Sequence, residues 1–168
     1  MDSPIVLSMV ETCAARGLAT LRFNFRGVGA STGRHEDGIG EQEDVRAALG
    51  LLGERLGDPA RVAVAGYSFG AAMAAAVAGR TRVAGLGLVA PPLRVAALRL
   101  PALPGGPVLV VVGAEDQYCP AEALAELGES LPTAKIVVID GADHFFFGTL
   151  GPLGEAVGAW ANALQDAG

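Results

Sequence analysis

VAVAGYSFGAAMAAA, residues 62–76, changes character in its middle. The first half is short and nearly all apolar, as befits a strand buried on both faces. The second half is a run of small, helix-compatible residues. Between them lies Gly66-Tyr67-Ser68-Phe69-Gly70, a G-x-S-x-G pattern. A chain with 24 glycines can produce that pattern by composition, so its weight comes from its setting. The setting is a tight strand-to-helix turn, in which flanking glycines relieve crowding around a strained serine backbone. The Ser68 hydroxyl would then stand over the C-terminal edge of a sheet, beside the free N–H groups of a helix. The plainer alternative is a glycine-relieved turn whose serine only caps the helix.

The same alternation repeats on either side. Ile5, Val6, Met9, Val10 and Cys13 recur at helical spacing, with Ser3 and Pro4 placed to start the helix and Gly17 to end it. LATLRFNF (18–25) reads as a strand and RGVGASTGRHEDGIG (26–40) as a Gly-rich loop. EQEDVRAALGLLGERL (41–56) is a helix with Val45, Leu49, Leu52 and Leu56 on one stripe. Downstream, VAGLGLVA (83–90), PVLVVVG (107–113) and AKIVVID (134–140) read as strands, and AEALAELGES (121–130) as a helix. A last helix carries Val157, Trp160, Ala161 and Leu164 on one face. Five short strands alternating with helices predict an α/β fold, a mostly parallel sheet covered on both faces, as one domain over residues 1–168. Such sheets bind ligands beyond the C-terminal ends of their strands. The proline-rich PPLRVAALRLPALPGG (91–106) is a connector, too short for a lid domain.

Composition narrows the function. With 51% hydrophobic and 18% charged residues, the chain is built to pack rather than to stay disordered. A net charge of -6 without a basic cluster speaks against a nucleic-acid partner. No apolar run approaches the roughly 18 residues of a membrane span, and the opening residues show no signal-peptide pattern. Cys13 and Cys119 form neither a C-x-x-C nor a metal-ligand pattern and read as free thiols in a reducing compartment. The expected location is cytoplasmic; the oligomeric state is left open.

A serine hydroxyl needs a base to activate it, and the base needs an orienting acid. The chain has two histidines. His144 follows the last strand in VVIDGADHFFF, on the same sheet edge as Ser68, whereas His35 sits in the charged loop GRHEDG, where a solvated histidine is expected. In PVLVVVGAEDQYCP, Glu115 and Asp116 lie one short turn beyond a buried strand. Asp116 is preferred because a shorter side chain holds an imidazole more rigidly. Asp140 and Asp143 are nearer His144 in sequence, and one of them is available to cap its loop. Tyr67 and the phenylalanines at 145–147 read as packing residues, with one ring available to line an acyl pocket. Arg26 could bind a substrate carboxylate or phosphate, but pairing with Asp44 or another local acid is the favoured reading.

The order Ser68, Asp116, His144 is that of the α/β-hydrolase triad. The chain resembles the α/β-hydrolase superfamily over nearly its whole length, and most closely a group of small, lidless bacterial members. LRFNFRGVGASTGRHEDGIGEQEDVRAAL, GYSFGA, GAEDQYCP and GADHFF carry the resemblance. It implies a three-layer α/β sandwich and a serine hydrolase that cleaves a carboxylic ester or related acyl bond of a small molecule. Ser68 would be nucleophile, Asp116 acid and His144 base, with Phe69 donating one oxyanion N–H and no metal or other cofactor needed.

The resemblance also implies something missing. The family fold begins with further strands, and the loop after its third strand supplies the other oxyanion N–H. The opening residues here match the helix that follows that loop, so the expectation is an N-terminally truncated fold whose working form is longer. In the family's strand order the third strand separates LATLRFNF from RVAVAG, leaving those two segments without each other as neighbours. The competing reading is a non-catalytic α/β-hydrolase-like binding protein or an inactive fragment of a longer hydrolase. A dinucleotide-binding protein fits poorly, since GVGAST lacks the G-x-G-x-x-G spacing and a prompt helix.

Overall fold

The computed structural model describes residues 2–95 and 106–167. The connector expected at 91–106 falls mostly outside the described residues. The helix predicted near the start is α1 (Pro4–Ala14), with proline at its first turn, where the missing N–H costs nothing. α2 (Gly40–Leu56) follows the Gly-rich loop and ends on left-handed Gly57. A single 3-10 turn (Pro59–Arg61), capped by the Asp58 carboxylate, leads into β1 (Val64–Tyr67) and α3 (Phe69–Ala78). Then come β2 (Leu86–Val89), β3 (Val108–Gly113), α4 (Ala121–Ser130), β4 (Lys135–Ile139) and α5 (Leu150–Asp166).

The four strands form one sheet in the order β1-β2-β3-β4, every pair parallel. β2 and β3 are buried along their whole length, which is why their sequences are apolar at every position rather than at alternate ones. Side chains still alternate between two layers. Leu109 and Val111 of β3 pack with Phe146, α1 and α5, while Val108, Val110 and Val112 pack with the alanines of α3 and with Leu127 of α4. Those alanines let α3 lie close on the sheet, and α2 packs outside it through Val45 against Ala72, Met73 and Val77. The result is the three-layer α/β arrangement that the periodicity predicts.

LATLRFNF is not a strand. Residues 18–25 are irregular rather than part of the sheet, and Leu21 and Phe23 are 41% and 37% exposed. Among the described residues β1 pairs only with β2. On its other side a trough of about 1260 Å³ separates it from residues 17–25, and Leu52 and Leu56 of α2 line it. A strand exists only through hydrogen bonds to a neighbour, so an apolar, β-prone segment facing a trough stays irregular. The same trough explains why the apolar stripe of α2 fades from buried Val45 to exposed Leu56.

Candidate active site

Ser68 is the single residue between the last residue of β1 and the first of α3. Its backbone is held at φ 52°, a region costing a non-glycine residue on the order of 1–3 kcal/mol. Hydrogen bonds on both sides impose it. The Ser68 N–H donates to the Val89 carbonyl (2.9 Å), continuing the β1–β2 ladder, and the Ser68 carbonyl accepts from Ala71 and Ala72 N–H at 2.9 and 3.2 Å. Gly66 is required by space: a Cβ there would overlap the carbonyl of Gly70. The turn therefore lifts the hydroxyl off the end of the sheet, as G-x-S-x-G at a strand-helix junction predicts.

Two other strand ends converge on it. Beyond β3, a turn closed by Asp116 N–H to Gly113 C=O (3.1 Å) buries Asp116 and leaves neighbouring Glu115 exposed. Beyond β4, the Asp143 carboxylate accepts the Phe145 N–H (2.9 Å) and shapes the loop that carries His144; Asp140 points to solvent. Gly113 allows the two turns to meet, since a Cβ there would overlap the Ala142 carbonyl.

The side chains form a continuous chain. His144 Nδ1 lies 2.8 Å from Asp116 Oδ2, and His144 Nε2 lies 2.9 Å from Ser68 Oγ. A carboxylate only accepts, so Nδ1 carries the proton and Nε2 is left to accept from the serine hydroxyl. The other oxygen of Asp116 accepts the Tyr118 N–H (2.8 Å), which restrains the carboxylate.

Tyr67, read from sequence as packing, also holds the histidine. Its hydroxyl donates to the His144 carbonyl (3.1 Å), and its ring lies 5.4 Å from the imidazole. Burial, reinforced by Asp116 and Asp143, pushes its pKa up, which keeps it a donor. A contact spanning 77 residues leaves no local signal; the D-x-Y spacing of Asp116 and Tyr118 does, as an Asx turn.

Phe69 opens α3, so its N–H has no acceptor within the helix. Its ring meets Phe25 (5.4 Å) and His35 (5.7 Å) from the Gly-rich loop. Arg26 is directed at local acids. Nε and Nη2 reach Asp44, Nη1 reaches Glu36 at 2.8 Å, and the Arg26 N–H also donates to Asp44. These bonds hold the Asp44 carboxyl below its ordinary range. Glu41, fully buried, was missed from sequence. Its oxygens accept the N–H groups of Glu36 and Gly38, both at 2.9 Å, and pair with His35 Nδ1. Burial raises its pKa, but those backbone donors and His35 outweigh it and the net direction is down.

Cys119 is buried beside Asp116, and burial together with that carboxylate pushes its thiol up to about 12. Among the described residues no His, Cys, Asp and Glu cluster could hold a metal ion, and no helix is long and apolar enough to cross a membrane.

Comparison with known proteins gives the geometry a context. The profile of the alpha/beta hydrolase domain matches residues 1–151. An alpha-beta serine hydrolase homologue from Coxiella burnetii superposes with a TM-score of 0.86 at 36% identity, covering 95% of this chain and 76% of that one. A serine hydrolase without a lid from Xanthomonas campestris gives 0.86 at 28% identity, covering 96% and 74%. An uncharacterized protein of Rickettsia prowazekii is 29% identical over 159 residues, 87% of this chain and 66% of its own length. One of Mycobacterium tuberculosis is 34% identical over 151 residues, 76% and 53%. The chain thus spans between about half and two thirds of the length of these curated relatives. With nine-tenths of its residues inside that profile and its fold shared with serine hydrolase homologues, one of them without a lid, the chain belongs to the α/β-hydrolase family.

Proposed function

We propose that the protein is a serine hydrolase that cleaves a carboxylic ester or related acyl bond of a small molecule. The observation that carries this reading is the chain of contacts from Ser68 Oγ through His144 to Asp116, at 2.9 and 2.8 Å, on three separate strand ends. Ser68 Oγ attacks the acyl carbon while His144 Nε2 takes its proton. Asp116 holds the imidazole in the tautomer that leaves Nε2 free and stabilises the imidazolium that forms. The carbonyl oxygen, now an oxyanion, accepts the N–H of Phe69 at the positive end of α3. On collapse, His144 returns the proton to the leaving oxygen. Water, activated by the same histidine, then releases the acyl group from Ser68. Arg26, by holding Asp44 and Glu36, keeps the Gly-rich loop against Phe69 and acts as a positioning residue.

An active-site phosphonate tests this directly. Covalent labelling at Ser68, read by peptide mass and lost in Ser68→Ala, is the expected result. A folded protein that is never labelled would sink the hydrolase reading and favour a ligand-binding role for the same crevice.

A further inference from the structure

The His144 loop holds three consecutive phenylalanines, and the fold treats them unequally. Phe146 is fully buried, whereas Phe145 is 51% and Phe147 78% exposed. Phe146 sits at φ 53°, a turn that puts the middle ring into the core and leaves its two neighbours outside. Large rings left in solvent are costly unless something covers them.

Their position is specific. The Phe145 ring meets the imidazole of His144 edge-on at 5.4 Å, and the Phe147 ring lies 5.9 Å beyond it. Tyr118, 38% exposed, meets the same imidazole at 4.7 Å. On the oxyanion side, Phe69 is instead engaged by Phe25 and His35. One oxygen of the nearby Asp143 carboxylate accepts the Phe145 N–H.

The reaction says which part of a substrate meets these rings. The proton on His144 Nε2 must be handed to the leaving oxygen, which therefore lies within about 3 Å of that nitrogen. Whatever is attached to that oxygen lies against the side chains that flank the imidazole, while the acyl carbon is held over Ser68 with its oxygen toward Phe69. We propose that Tyr118, Phe145 and Phe147 form a leaving-group cleft, and that the enzyme prefers acyl esters of alcohols carrying an aromatic ring. Planar rings stack edge-on and offset against such a set, with their faces and edges complementary. The inference rests on the hydrolase reading and deepens it by naming the substrate's alcohol side.

The test compares 2-phenylethyl acetate, 2-cyclohexylethyl acetate and propyl acetate. All three pass through the same acetyl-enzyme, so a difference in kcat/KM reports the leaving-group side alone. The expected result is kcat/KM at least about tenfold higher for the phenylethyl than for the propyl ester, with the cyclohexyl ester between them. The Phe147→Ala and Phe145→Ala variants should shrink that ratio; both side chains are exposed, so folding is not at stake, and circular dichroism verifies it. Phosphonate labelling of Ser68 is run in parallel. Labelled Ser68 with no preference for the phenylethyl ester, including no turnover of any ester, overturns this inference alone. A ratio unmoved in both variants does the same. Unlabelled Ser68 together with no turnover overturns the hydrolase reading and this inference with it.

Discussion

Asp116 and His144 are joined through Oδ2 and Nδ1 at 2.8 Å, with the carboxylate side chain wholly buried and the imidazole nearly so. A buried hydrogen bond of this kind sets a tautomer rather than merely adding stability. In Asp116→Asn the amide can present its NH₂ to Nδ1, which moves the ring proton to Nε2 and, on the proposed mechanism, removes the base. The expected outcome is a kcat lower by about 10⁴ with little change in KM. Steady-state kinetics on a short acyl ester measures it. A loss of less than about tenfold would show that Asp116 is not the orienting acid.

Gly66 yields a prediction about geometry alone. A Cβ at this position overlaps the backbone of Gly70, and backbone inside a helix turn cannot step aside as a flexible side chain can. Gly66→Ala should therefore spoil the turn that aims Ser68, although it touches no reacting group. The expected signature is loss of phosphonate labelling at an intact Ser68, with Tm lowered by several degrees, on the order of 1–3 kcal/mol of destabilisation. Unchanged labelling would mean that the turn tolerates relaxation.

These contacts also mark where sequence reasoning succeeds and stops. The sheet and its helices were legible because β2 and β3 are buried throughout and the helices carry 3.6-residue stripes. The convergence of Ser68, Asp116 and His144 was legible because each follows a strand, and parallel strands bring their C-terminal ends together. Residues 18–25 misled because strand propensity describes a side chain's fit to a sheet, whereas a strand needs a neighbour for its backbone. Leu21 and Phe23 look the same whether or not that neighbour is present. Glu41 carried no local sign of its burial: nothing in the first turn of a helix encloses a carboxylate, and only the folded Gly-rich loop does so. The three phenylalanines at 145–147 are identical as letters, and only the backbone turn at Phe146 separates a core ring from two exposed ones.

The Arg26–Asp44 pair predicts a pH dependence. Its bonds hold the folded Asp44 carboxyl below the ordinary range, so the pair contributes stability that is fully present above about pH 5. As the pH falls below the unfolded value near 4, the unfolded chain takes up a proton that the folded state resists, and the contribution declines until Asp44 is protonated in both states. Asp44→Asn should therefore lower Tm by roughly 2–4 °C at pH 7, and this difference from the parent should shrink progressively as the pH falls below about 4. Thermal melts of the two proteins across that range provide the measurement. A difference that stays constant into acid would assign the effect to shape rather than charge.

Cys119, the thiol in the turn that carries Asp116, gives a check on how firmly that turn is held. Cys119 is buried one turn beyond Asp116, and its pKa is pushed up to about 12. At pH 8 only about one thiol in ten thousand is then the reactive thiolate, and the residue is only 6% exposed. Cys13 is half-buried and raised in the same direction, with Arg16 pulling weakly the other way. Iodoacetamide at pH 8 should therefore leave Cys119 unmodified in the folded protein and leave phosphonate labelling of Ser68 at its full extent. In denaturant the same reagent should modify both cysteines. Peptide mass spectrometry reads both sites in one experiment. Alkylation of Cys119 in the folded state, accompanied by loss of the Ser68 adduct, would show that the loop bearing Asp116 opens readily, and that the buried carboxylate is not held as the 2.8 Å contact with His144 implies.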